Sequence, residues 1–479
     1  MDLLVISTPK VADLLISLVL CCTFLWKISS SRKNRVPDIP GPTRFPIVGC
    51  LGSLPTQNPE LVLDRWARCY GPLYSVWLGN QQFVIISDST IVKDLLVTRG
   101  AIFSSRRDNF IKCQIILKGC AITASPFNNL WKQHRRVAVK WLNRSAIEEC
   151  SDDIILECTC MLREIFVQGL NASPVDPFSA INRYTANIIL KMVFSRGSES
   201  LTPAEYEALR GVIREFFDCT DPLSNAVDCI PLLQTLPNRL TRRAQKVHQG
   251  LVDILGGMMD GVEKRLLMGE DVPDCLAKEL LQGHKDGIYN RLDMIMLCTA
   301  FIVPGIGSIT PILQSFINVI ANQPEAQERA GEELDRIVGR NRLPTVKDEK
   351  NLPYVVSIIK YTINRDPHIY PEPDLFKPER HLNTHTPPTE DHQRPVERNN
   401  WTFGAGRRIC PGEGLSEREI FLAVSYILWA FIIQRAQGGS GAILKGDNFG
   451  GGRSPPKNQI KMVPRHNMVA EVVGSSSVR

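Results

Sequence analysis

Phe403-Gly404-Ala405-Gly406-Arg407-Arg408-Ile409-Cys410-Pro411-Gly412 sets one cysteine in a tight, glycine-punctuated loop behind an arginine pair, and an apolar, helix-like run from Leu415 to Phe431 follows it. The glycines at 404, 406 and 412 let backbone come close to a flat partner and turn N–H groups toward the sulfur. A helix starting near Leu415 directs its positive end at a thiolate on Cys410. Phe403 is placed to pack beside that sulfur. The arrangement suits a thiolate serving as axial ligand of a haem iron, with Arg408 neutralising a propionate. Thiolate ligation donates electron density to iron and favours O–O cleavage, so it points to oxygen activation rather than oxygen storage.

The competing reading makes Cys410 one more small apolar residue, since free cysteine is among the most buried residue types. There are 14 cysteines in the 479 residues, and none forms a CxxC pair, so neither a zinc site nor a disulfide framework is indicated. Such usage suits a reducing compartment. With 43% hydrophobic and 22% charged residues the chain is ordinary globular protein. A formal charge of +6, with no basic stripe interleaved with aromatics, argues against nucleic-acid binding.

Val11 to Trp26 is apolar apart from Asp13, Ser17 and Thr23, and Lys27, Arg32, Lys33 and Arg35 follow at once. A cleaved signal peptide has an apolar stretch of this length. Basic residues after the stretch favour instead a signal anchor whose basic side stays cytosolic. Three glycosylation patterns, at Asn143, Asn171 and Asn400, then have no glycosylating compartment to meet. Val36 to Pro46 has four prolines and reads as a stiff linker. Leu73–Leu78 and Phe83–Ser87 are β-rich runs separated by Gly79-Asn80, a hairpin signal. Beyond Asp88 the pattern turns helical, with a clear amphipathic helix over Pro324–Val338. Met294 to Leu313 is twenty residues without a charge, a candidate second membrane span by hydropathy. Pro304, Gly305, Gly307 and Pro311 favour a kinked helix in a large core. His381 to Arg398 reads as an exposed loop.

The cysteine loop matches the haem-binding signature of the cytochrome P450 superfamily at Phe403, Gly406, Arg408, Cys410 and Gly412, and the chain is identified by it as resembling that superfamily. Trp131-Lys132-Gln133-His134-Arg135 resembles the WxxxR motif, which implies Trp131 and Arg135 as propionate ligands; the two lie on one helix face. Phe376-Lys377-Pro378-Glu379-Arg380-His381 resembles the PERF element, with His381 in place of Phe. Asn351-Leu352-Pro353-Tyr354 resembles the entry to the K helix. Arg99 to Arg106 and Asp271 to Leu276 resemble fungal enzymes that hydroxylate small aromatics, among them cresol, hydroxybenzyl alcohol and phenylacetate hydroxylases.

The resemblance implies a mainly α fold with a small β region: an anchor over residues 1–35, a linker over 36–46 and a haem-thiolate catalytic domain over 47–479. It implies a monomeric monooxygenase of fungal secondary metabolism, held by one anchor on the cytosolic face of the endoplasmic reticulum membrane. O2 and electrons from NADPH, delivered by NADPH-cytochrome P450 reductase docking near Lys132, Arg135, Arg136 and Lys140, would serve to hydroxylate a small aromatic or polyketide-derived substrate.

Two departures stand against it. The ExxR motif is missing: Tyr361 follows Lys360 where Glu is expected, Asn364 stands for Arg, and Asn364 to Pro371 resembles a segment normally several dozen residues downstream. The end of the K helix and its following strands are therefore expected to be absent, which leaves Arg380 without its usual partners. Glu333-Leu334-Asp335-Arg336 satisfies the pattern on the wrong helix. Second, Pro304 to Thr310 carries Gly307 where the superfamily has an acid and Ser308 where it has Thr. Ser308 keeps the hydroxyl, while the carboxylate for proton delivery is gone. The rival expectation is a non-catalytic or misfolded product of a degenerate or mis-spliced gene.

Overall fold

The structure is a computed structural model that describes residues 16–23, 39–55, 59–120, 122–170, 175–197, 201–220, 225–363, 375–385, 401–436 and 460–475. The chain divides into two compact units, Met1–Asp94 with Thr220–Arg242, and Leu95–Cys219 with Arg243–Arg479.

In the first unit helix α1 (Pro59–Tyr70) precedes strands β1 (Leu73–Leu78) and β2 (Gln81–Ile86). The strands pair antiparallel, Leu78 opposite Gln81, around the two-residue Gly79-Asn80 turn. Gly79 takes a φ of 59°, which a side chain would resist. Closing the turn this way starts β2 two residues earlier than its β-rich run. Tyr74, Val76 and Leu78 point into a core with Cys50 and Cys229, against which Trp66 and Leu63 of α1 pack. The proline-rich run is tied to this sheet at its end: the Ser75 N–H donates to the Pro40 carbonyl at 2.8 Å and the Ser75 hydroxyl to Ile39 at 3.1 Å. Of the apolar N-terminal run only residues 16–23 are described; they are helical, with Ile16, Leu18, Val19 and Leu20 exposed.

The second unit is helical, as expected. Its elements are α2 (Gly100–Phe103), α3 (Asn129–Trp141), α4 (Ser151–Gly169), α5 (Pro177–Phe194), α6 (Pro203–Cys219), α7 (Arg239–Leu267, from Arg243 on), α8 (Leu276–Lys285), α9 (Arg291–Ile320), α10 (Pro324–Ile337), α11 (Pro353–Ile363), α12 (Glu413–Ala430) and α13 (Met468–Ser475). One antiparallel pair, β3 (Phe431–Arg435) with β4 (Ile460–Pro464), belongs to it. The charge-free stretch is the core helix rather than a span. It runs 30 residues, is largely buried and packs on α5, α8, α11 and α12. Asn290 and Asp293 close a capping box at its start, and Pro304 and Pro311 lie inside it, each removing one backbone hydrogen bond.

Among the described residues no strand lies between α11 and α12. Asn364 to Pro371 lie outside the described residues, as do Asn171 and Asn400. What surrounds the gap is closed by other contacts. Tyr361, at the position of the missing Glu, is 3% exposed and meets Phe376 edge to face, ring centroids 4.7 Å apart. The Glu333 carboxylate accepts from the Tyr354 and Val355 N–H groups at 3.0 Å each, so the Glu333-Leu334-Asp335-Arg336 stretch caps α11. Arg380 is not left unpaired: its guanidinium donates to the carbonyls of Lys377 and Leu375 at 3.0 and 2.9 Å. The exposed-loop expectation fails at its first residue. His381 is 2% exposed, and burial first, then Arg380 and Lys360, push its pKa down to about 4. A neutral ring therefore fills the place of the family's Phe.

Candidate functional site

The cysteine loop folds through two left-handed glycines, Gly404 (φ 75°) and Gly406 (φ 60°). At Gly406 a Cβ would also run into the carbonyl of Leu96, so both backbone angle and close approach demand glycine. Gly406→Ala is expected to cost about 3 kcal/mol or more through strain and displacement of Leu96. Thermal unfolding checks it, and an unchanged melting temperature would show that the loop relaxes freely.

Cys410 donates its N–H to the Phe403 carbonyl at 2.8 Å and is half-buried. Its sulfur has the Gly412 N–H as a hydrogen-bond donor. Burial pushes the thiol pKa up, while that N–H and the charge of Arg135 pull it down. Helix α12 starts at Glu413 with Gly412 as its cap residue, so its positive end lies beside the sulfur.

Three arginines surround this loop. Arg408 donates from Nε to Ser104 (2.7 Å), from Nη2 to Ser125 (2.9 Å) and from Nη1 to Ile122 (3.3 Å), all carbonyls, and stacks 4.1 Å above the Trp131 ring. Arg135 donates to the Ile409 carbonyl. Arg106 donates to Thr123 and keeps accessible surface. Burial lowers the pKa of each; Arg408 falls to about 10, and Arg106 and Arg135 lower it further by like-charge repulsion. Among the described residues none of the three has a carboxylate partner. Three neighbouring guanidinium groups, two of them half-buried, repel one another unless an anion sits between them. The residues present fit a haem: the three arginines would answer the two propionates, and Cys410 would supply the thiolate for its iron.

Trp131 is 5% exposed on α3, which Asn128 caps, and rests on Phe127 with centroids 4.9 Å apart. Its single N–H donates to the Ile122 carbonyl at 3.0 Å, so here Trp131 supports Arg408 from beneath. The sequence had singled out Arg408, Trp131 and Arg135; it had passed over Arg106. An isolated arginine has no spacing to betray it, and only the fold brings it to the loop.

On α9, Ser308 is exposed. Thr310, two residues on, is 4% exposed and its Oγ1 lies 3.0 Å from that of Thr185, which assigns it to packing α9 on α5. Gly307 touches the Phe217 ring of α6, and a Cβ there would overlap it. The space an acid would need is thus filled by a phenyl ring. Among the described residues no three His, Cys, Asp or Glu side chains converge as a separate metal site.

The cytochrome P450 family model matches the chain over residues 39–360 and 355–462. The two pieces meet on α11, where the ExxR pattern breaks off. Curated relatives include the cytochrome P450 monooxygenases fogE of Aspergillus ruber (26% identical, covering 90% of this chain and 86% of that protein) and virE of Hypocrea virens (27%, 86% and 82%). Another is alnH of Emericella nidulans, 28% identical over 84% of this chain and 79% of that protein. With the family model matched over most of its length and monooxygenases as its relatives, the chain belongs to the cytochrome P450 family.

Proposed function

We propose that the protein is a haem-thiolate monooxygenase that hydroxylates a small aromatic or polyketide-derived compound in fungal secondary metabolism. The observation that carries the reading is the cluster of Arg106, Arg135 and Arg408, without carboxylate partners among the described residues, around the loop of Cys410. Cys410 would hold the iron, the three arginines the propionates, and Trp131 the plane of Arg408. Phe403, Gly406 and Gly412 would shape the loop, and the Gly412 N–H would temper the sulfur's electron donation. When bound, haem supplies the oxygen chemistry. The chain's part is to orient substrate and manage protons. The Ser308 hydroxyl is an exposed polar group between Pro304 and Pro311 of α9, able to hold a proton for the reacting centre. Gly307 offers it no carboxylate relay.

Electrons would come from NADPH-cytochrome P450 reductase. Lys132 and Arg136 are exposed on α3, whereas Arg135 turns inward and Lys140 pairs with Glu279 at 2.8 Å. Ile102, 74% exposed, lies on α2 beside the arginine turn of the loop and would offer an apolar contact there. The apolar run that includes residues 16–23 would anchor the chain in the endoplasmic reticulum membrane, with the rest cytosolic. Expressed with a reductase, the protein should give a thiolate-type Soret band in its carbon monoxide complex and oxidise a small aromatic at the expense of NADPH. A preparation that is folded yet takes up no haem would overturn the reading.

A further inference from the structure

Lys112 is a half-buried cation on the π-helical segment Phe110–Ile116. That segment is fastened to α7, where His248 Nδ1 lies 2.7 Å from the Ile116 carbonyl oxygen. Among the described residues the Lys112 ammonium has no carboxylate partner. Asp108, the acid nearest in sequence, is taken by Gln114 at 2.9 Å. The ammonium lies instead 5.7 Å from the centre of the Phe216 ring on α6. Burial, then the charge of Arg106, lowers its pKa, so its environment disfavours an uncompensated charge.

Phe216 meets Phe217 edge to face, centroids 5.7 Å apart, and Phe217 lies against Gly307, the residue before Ser308. Cation, two rings and Gly307 of α9 therefore form one continuous series of contacts. Three arginines would already answer the two negative charges of the propionates, which would leave Lys112 in excess of what the cofactor needs.

We propose that Lys112 binds the anionic group of the substrate, and that the substrate is an aromatic carboxylate whose ring lies against the half-buried Phe217. This rests on the monooxygenase reading and narrows it. A charge-assisted pair at a partly desolvated ammonium contributes more than a pair in open water, and it discriminates acid from ester.

The test titrates holoprotein with benzoate, cinnamate and 2-naphthoate and with their methyl esters, following displacement of the Soret band. Lys112→Met should weaken the acids about 10- to 100-fold and leave the esters unchanged. Lys112→Arg should keep most of the acid affinity. Unchanged acid binding in Lys112→Met overturns the proposal, as does equal loss of acid and ester, which marks a structural role. Wild-type protein that takes none of the acids overturns it too. Reduced haem content with acid affinity per haem unchanged would assign Lys112 to a propionate instead and also overturn it. A wild-type carbon monoxide complex lacking the thiolate band, recorded before any titration, is the separate failure of the monooxygenase reading and takes this proposal with it.

Discussion

Cys410→Ser is expected to abolish the thiolate-type Soret band and to bring oxidation of substrate below detection, while the protein without cofactor should keep the melting temperature of its wild-type counterpart. A serine oxygen at this position is a neutral hydroxyl at neutral pH and cannot match the electron donation of a thiolate. The loop itself does not depend on the sulfur. Its path is set by the left-handed Gly404 and Gly406, by the Cys410 N–H donated to Phe403 and by the Arg408 bonds to Ser104, Ile122 and Ser125. The substitution therefore separates ligation from folding. Absorption of the reduced carbon monoxide complex and differential scanning of the cofactor-free protein are the two measurements. A wild-type band in the variant would mean that another residue holds the iron.

The second large effect is on stability against pH. Glu419 on α12 is 1% exposed and its Oε1 has no hydrogen-bond partner, while Tyr184 donates at 2.9 Å to the backbone carbonyl of the same residue. Burial raises the carboxyl pKa from about 4.5 to about 8. The folded chain therefore holds this proton up to about pH 8, whereas the unfolded chain releases it near pH 4.5. Folding then weakens as pH rises through this interval, by roughly 4–5 kcal/mol in all, and the group adds no further slope above it. Glu157 and Cys158 of α4, with Tyr184 of α5 and Tyr426 of α12, are the titratable groups gathered there. Glu157 pairs with Lys191 at 2.6 Å, and burial pushes Cys158, Tyr184 and Tyr426 above their ordinary values, away from the interval between pH 5 and 8. Glu419→Gln removes the ionisation and keeps the volume. Denaturant unfolding at pH 5, 6.5 and 8 should show the variant gaining on wild type as pH rises. Two parallel stability curves would show that water or a rearrangement serves the carboxylate.

The departures around α11 take a different meaning once the contacts are in view. The sequence showed a lost ion-pair network and a charge on Arg380 with nowhere to go. In the folded chain Tyr361 and Phe376 form an aromatic pair, His381 is buried as a neutral ring, and Arg380 is served by two carbonyls in its own turn. The relatives are monooxygenases, and nothing in these contacts favours a misfolded product over an enzyme.

By itself the sequence determined the cysteine loop, the hairpin, the amphipathic α10 and the core helix α9, because each depends on residue types at short fixed spacing. The glycines set turn angles, the 3.6 period sets a helix face, and paired prolines and glycines in an uncharged run mark a buried helix rather than a span. Tertiary structure alone decided who serves each charge. Arg408 and Arg135 find their acceptors 304 and 274 residues away, Arg106 joins them from a stretch whose pattern assigned it no role, and Glu333 leaves a false motif to cap α11. A hydrogen-bond partner is set by distance in space and by the need to satisfy a desolvated group, and neither is written in the local order of residues.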